Sequence, residues 1–261
     1  MNSRSVLRFT LPFFFLLFLT LGAYADSVNL GTAGSYGVLA GSTVTNTGSS
    51  VINGDLGVSA GCAITGFPPG IVHGATNACN AVSGQAQNDL TTAFSQAMSM
   101  SRTGTLTGLD LGGQTLTHGV YFFATSAQLT GTLTLNNNGN RNAVFIFQIG
   151  STLTTASSSS IVFTNGPDKN VFFVVGSSAT LGTGTQFAGH ILALTSITLN
   201  TGANITCGSA LARNGAVTMD TNVITTKCSG GGISTPEPGT IGLMGSGLVI
   251  LASIARRKLR I

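Results

Sequence analysis

The chain has 261 residues, of which 43% are hydrophobic and only 7% charged, with 36 glycines and no tryptophan. Such composition departs from an average soluble enzyme, and the regularly spaced Val, Ile, Leu and Phe exclude disorder, which needs few aliphatics and many charges. The formal charge of +4 gathers at the ends: without Arg4, Arg8, Arg256, Arg257, Lys258 and Arg260, five basic residues face seven acidic ones. The body is then about −2, with scattered charges and no nucleic-acid footprint.

Residues 1–25 combine a basic start (Arg4, Arg8), an apolar run from Phe9 to Leu21 and the small-residue site Ala23-Tyr24-Ala25. That pattern predicts a secretory signal peptide cut before Asp26, the apolar run being short for a spanning helix. From Asn29 to Asn53 small polar and aliphatic residues alternate, which predicts strands with a turn at Gly48. Gly54 to Ala81 is irregular, broken by Gly66-Phe67-Pro68-Pro69-Gly70 and enclosed by Cys62 and Cys79, and is expected to be a capping loop. Over 83–100, Leu90, Ala93, Phe94, Ala97 and Met98 recur at three- and four-residue steps, predicting a helix packed along its apolar stripe.

From Thr103 onward a short phrase returns, most clearly at Thr152-Leu153-Thr154-Thr155, Thr180-Leu181-Gly182-Thr183, Thr198-Leu199-Asn200-Thr201 and Thr218-Met219-Asp220-Thr221. The copies begin 28, 18 and 20 residues apart, the spacing of stacked supersecondary units, so a solenoid is expected, with a loop inserted near Asn165-Gly166-Pro167-Asp168 in the longest step. If Leu153, Leu181, Leu199 and Met219 point inward, Thr152, Thr180, Thr198 and Thr218 form an outward column. Thr155, Thr183, Thr201 and Thr221 then fall near a corner, and the result is a flat grid of hydroxyls and methyls that orders water. Cys207 and Cys228 follow their nearest phrases by nine and ten residues, which places them on adjacent rungs. Of the three pairings open to four exported cysteines, Cys62–Cys79 with Cys207–Cys228 is the one expected.

After a 230–235 linker containing Gly230-Gly231-Gly232 come Pro236-Glu237-Pro238, an apolar segment from Gly239 to Ala255 and the cations Arg256-Arg257-Lys258. Residues 236–261 thus resemble the Pro-Glu-Pro (PEP-CTERM) sorting signal. The resemblance implies an exosortase-type processing enzyme as partner, cells that make exopolysaccharide, and membrane attachment by the C-terminal helix before processing. A plain single-pass anchor is the alternative. Either way the body is exported, to the cell surface or beyond.

Gly37-Val38-Leu39-Ala40-Gly41-Ser42-Thr43-Val44-Thr45-Asn46-Thr47-Gly48, Gly54-Asp55-Leu56-Gly57-Val58-Ser59, Ala143-Val144-Phe145-Ile146-Phe147-Gln148-Ile149-Gly150-Ser151, Phe187-Ala188-Gly189-His190-Ile191-Leu192-Ala193-Leu194 and Ala212-Arg213-Asn214-Gly215-Ala216-Val217-Thr218 resemble the ice-binding-like family (DUF3494), a similarity that spans nearly all of Leu30 to Thr226. It implies an all-β fold with one helix over 26–229, a discontinuous right-handed β-solenoid of triangular section with a long α-helix alongside and a capping loop. It also implies ice or ordered water as partner, bound through one flat face that commonly carries T-A/G-x-T/N. That motif is complete at Thr201-Gly202-Ala203-Asn204, partial at Thr183-Gly184-Thr185-Gln186 and Thr155-Ala156-Ser157-Ser158, and reduced to its Thr at Thr221-Asn222-Val223-Ile224. The candidate ice-contact residues are therefore Thr152, Thr155, Thr180, Thr183, Thr198, Thr201, Asn204, Thr218 and Thr221. An alternative use of the scaffold is a matrix or adhesion module that contacts exopolysaccharide. No enzyme, cofactor or metal is expected: Asp55, Asp110, Asp168 and Asp220 have no evident common face, and His73, His118 and His190 stand singly.

Overall fold

The computed structural model describes residues 27–167 and 169–228; the expected signal peptide, linker and sorting tail, and Asp168, lie outside them. The described chain winds through 22 short strands, all paired in parallel, around one aliphatic and aromatic core. Three faces result. A threonine-rich sheet of seven strands runs in the order Ala127–Leu129, Leu153–Thr155, Ala179–Leu181, Ile197–Leu199, Val217–Asp220, Thr43–Thr47, Ala63–Thr65. A helix-covered face is built on Gly119–Phe123, Phe145–Ile149, Val171–Val175, Tyr36–Ala40, Asp55–Val58 and Thr76–Ala78. A third face holds Thr115–Thr117, Thr132–Asn136, Ser160–Thr164, Val223–Thr225, Val51–Asn53 and Ile71–Val72. Gln186–Ala193 and Asn204–Ala212 are long strands that begin on the third face and end on the helix-covered one, bending where the register shifts after Ala188. That bend shortens two steps of the winding. The earlier rungs instead turn through the loops 137–144 and 165–170, which stack on each other through Gly139 N–H donating to Asn165 O.

The stack is discontinuous. Thr43–Thr47 pairs with Val217–Asp220, Tyr36–Ala40 with Asn204–Ala212, and Val51–Asn53 with Val223–Thr225, so the first rung of the chain lies on its last. The chain must then travel to the opposite end, where Gly104–Thr105 pairs with Gly119–Phe123. Helix α1, Ala81–Ser99, makes that journey: its 19 residues span about 28 Å at 1.5 Å each, and extended residues cover the rest. It begins two residues before the expected start, where Asn80 and Ser83 form a capping box. Ala86, Leu90, Ala93, Phe94 and Ala97 pack on Ile146, Phe172, Val174, Leu192 and Leu211. Polar side chains fix its pitch: Gln148 Nε2 donates to Ala97 O (2.8 Å) and Met100 O (2.9 Å), and Gln87 Nε2 to Ala212 O (3.1 Å). Inside the solenoid Phe147 stacks on Phe173 with centroids 4.4 Å apart and Tyr121 follows at 5.7 Å, one ring per rung.

The expected cap over 54–81 does close one end of the stack, but it is built as a terminal rung and not as an irregular loop. Asp55–Val58, Ala63–Thr65 and Ile71–Val72 pair onto the three strands of the first rung, and Thr76–Ala78 starts another. Strands of two to four residues are too short to leave a period in the sequence, and the prolines occupy a turn between two of them. Both expected disulfides are present, Cys62–Cys79 and Cys207–Cys228, with Cα atoms 4.8 and 4.1 Å apart.

Candidate functional site

Along each strand of the threonine-rich sheet alternate side chains enter the core. Ala127, Leu153, Ala179, Ile197, Val217 and Val44 are buried in one inward column, and the residues that follow them face out. That outward column is Gln128, Thr154, Thr180, Thr198, Thr218, Thr45 and Thr65, joined rung to rung by their pairings. No bulge interrupts it, whereas the other faces carry register shifts near Tyr36 and Ala188. With about 4.8 Å between rungs, six threonines stand in a straight row. Of the large apolar residues that protrude from the described surface, Ile71, Val82, Val162 and Val223 lie off this sheet, and Leu109 stands at its end beside Ser126 and Gln128.

The expected grid changes in four places. Leu153 pairs with Ala179 and Thr154 with Thr180, so the first phrase is shifted by two residues and Thr154, not Thr152, belongs to the main column. Thr152 sits at the sheet margin, where its hydroxyl donates to Ser126 Oγ at 2.8 Å. Thr155 occupies the core level of Leu129 and is buried, sharing a 2.8 Å hydrogen bond with Thr185 and accepting from Gly182 N at 2.9 Å. Asn204 lies around the corner on the third face, its Oδ1 accepting from Val223 N. Thr221 takes a left-handed backbone (φ 54) level with Gly202 (φ 71), so it marks the turn and does not extend the row of Thr183 and Thr201.

Thr183 and Thr201 are exposed at the sheet edge, as expected, and Thr201 donates its hydroxyl to Asp220. A shallow trough of about 390 Å³ runs between this edge and the main column, lined by Thr47, Thr183, Thr198, Thr201, Thr218 and Asp220. The corner is braced from inside by polar residues that the repeat did not reveal. Ser159 donates to Leu129 O and Thr185 to Ala156 O, while Asn222 donates to Asn200 O and Ala203 O. Leu129 O, Ala156 O and Asn200 O each already accept a backbone N–H, so these side chains add a second donor to the turn carbonyls, and Asn222 supplies one to Ala203 O as well.

Sequence reasoning also passed over Thr45 and Thr65. The alternation Thr43-Val44-Thr45-Asn46-Thr47 is the signal for Thr45, but only the discontinuous stacking puts it beside Thr218, with Thr65 on the next strand beyond.

Among the described residues the carboxylates and histidines do not converge. Asp55 is on the helix-covered face, Asp110 bridges to Gln128 at one end, and Asp220 is on the threonine-rich sheet. His190 stacks on Phe172 and bonds Ser209 at 2.8 Å, its pKa pulled down to about 4 by burial, whereas His118 lines a separate polar pocket. Among the described residues no three of His, Cys, Asp and Glu are grouped to hold a metal ion, and no helix is long and apolar enough to cross a membrane.

Fold and face together define a parallel β-solenoid that presents one flat, hydroxyl-bearing sheet. The chain belongs to the ice-binding-like family, whose profile matches residues 38–225. A second profile, the PEP-CTERM protein-sorting motif, matches residues 234–260. The chain is 60% identical over 243 residues to an ice-binding protein of Nostoc sp. (strain HG1), covering 91% of this chain and 90% of that one. Among solved structures, the ice-binding protein of Antarctomyces psychrotrophicus superposes with a TM-score of 0.75 at 42% identity, covering 77% of this chain and 99% of that chain. The DUF3494 domain of Shewanella frigidimarina ice-binding protein 1 superposes with a TM-score of 0.70 at 29% identity, covering 77% and 97%.

Proposed function

We propose that this chain is an exported, non-catalytic protein that adsorbs to ice through its threonine-rich sheet and so inhibits recrystallisation. The observation that carries the reading is the unbroken column Thr154, Thr180, Thr198, Thr218, Thr45 and Thr65 on six successive strands. Each hydroxyl anchors a water while the methyl beside it restricts that water's alternatives, and rigid spacing lets many weak contacts form together. Thr183 and Thr201 extend the contact area, with Asp220 holding the Thr201 hydroxyl in place. The names of the relatives support ice as the partner. The sorting motif supports export and exosortase-type processing, with the C-terminal segment holding the chain at the inner membrane until then.

Purified mature chain is expected to suppress recrystallisation of fine-grained ice at micromolar concentration, and Thr180→Tyr with Thr198→Tyr to abolish that effect without unfolding the protein. Equal suppression by the double variant would overturn the assignment of the face; no suppression by the parent chain would overturn the function.

A further inference from the structure

The three faces meet at three vertices, and the one between the helix-covered and third faces lies opposite the threonine-rich sheet. Both ends of the described chain are found there. Ser27 lines a polar pocket of about 520 Å³ with His118, Asn140, Asn142, Lys169 and Asn170, all in turns that join the third face to the helix-covered one. At the other end Thr226 is held to Asn53 O by its backbone N–H (3.2 Å) and its hydroxyl (3.1 Å). Cys228 is bonded to Cys207, which sits at the bend of Asn204–Ala212 where that strand passes between the same two faces. The exit of the chain is therefore fixed to this vertex by two hydrogen bonds and a covalent link.

The sorting motif starts at residue 234. Five intervening residues reach at most about 18 Å when fully extended. A face is about five strand residues wide, roughly 17 Å, and on one side the helix adds about 10 Å more. A random-coil chain of five residues spans only about 12 Å on average, less than the width of one face, so a bulky carrier stays on the vertex side and away from the threonine-rich sheet.

We propose that this vertex is the attachment side of the molecule: a chain joined through its C-terminus to an envelope surface keeps the threonine-rich sheet turned outward and works while attached. The outward sheet as the working face rests on the ice-adsorption reading; the orientation does not.

The test couples the full chain to a streptavidin-coated gold film through one biotin, carried on an azide-bearing residue substituted for Ser234 at the start of the sorting motif. A fluorophore is placed at Arg141→Cys, on the attachment vertex, or at Thr180→Cys, with Thr45→Cys as a second position on the sheet. Gold should quench the Arg141→Cys label more strongly than either sheet label; equal or reversed quenching would overturn the orientation. On the same film, growing ice should hold the coupled parent chain and release coupled Thr198→Tyr. If free chain partitions into ice but coupled chain does not hold it, attached function is refuted. If free chain fails to partition, the ice reading falls and quenching alone decides the orientation.

Discussion

Thr155 and Thr185 share a 2.8 Å hydrogen bond inside the solenoid, thirty residues apart in sequence, at the corner where the threonine-rich sheet turns into the third face. The same Thr155 hydroxyl accepts from Gly182 N, so one side chain joins two rungs and closes a turn. Thr155→Val is expected to leave a buried N–H and a buried hydroxyl without that partner and to lower stability by about 1–3 kcal/mol. Denaturant unfolding measures this. Ice activity of the folded variant should be unchanged, because the residue does not reach the surface.

Thr154 and Thr152 separate the observed register from the one the repeat suggests. Thr154→Tyr should reduce recrystallisation inhibition about tenfold, equivalent to ~1.4 kcal/mol of adsorption, since it plants a ring in the main column. Thr152→Tyr, at the margin beside Ser126, should have the smaller effect. Dose curves for the two variants decide the matter; the reverse order would contradict the register.

His190 gives the fold a dependence on pH. Its folded pKa lies near 4, below the ordinary 6.5, because burial disfavours the imidazolium. The unfolded chain therefore binds the proton more readily, and stability should be full above pH 6.5, decline as pH falls, and level off below about 4. Melting temperatures across that window test this, and His190→Gln should flatten the slope.

Thr221 is a β-branched residue held at φ 54, a conformation glycine adopts at neighbouring levels of the corner. Thr221→Gly should relieve about 1 kcal/mol of backbone strain, offset in part by loss of the hydrogen bond to Asp220. A calorimetric melt that falls by several degrees would show that the strain is absent.

The helix was legible because Leu90, Ala93, Phe94 and Ala97 keep a helical period over about two turns, and the solenoid because Thr180, Thr198 and Thr218 recur one rung apart. The position of Thr155 was not. Threonine suits a pleated surface and a satisfied interior equally well, and its partner Thr185 lies on the next rung, so no local pattern separates the two settings. Asn204 was misplaced for a related reason: the family motif crosses a corner, and only Ala203 pointing into the core shows where the chain turns. The neighbours of Thr45 and Thr65 were hidden by topology, since local spacing says nothing about which end of the chain stacks on the other.

That topology also limits how the molecule can change size. In an ordinary repeat protein a unit is added at either end of the sequence, and nothing else must respond. Here the first and last rungs of the described chain meet two rungs from one end of the stack, and α1 has to span most of the distance between the outer rungs. Lengthening the sheet by one rung, about 4.8 Å, calls for about three more helical residues, which turn the apolar stripe by roughly 60° away from the face it covers. The area offered by the sheet and the length of the helix are thus geared together, and growth has to proceed by increments that restore both the reach and the rotation of α1.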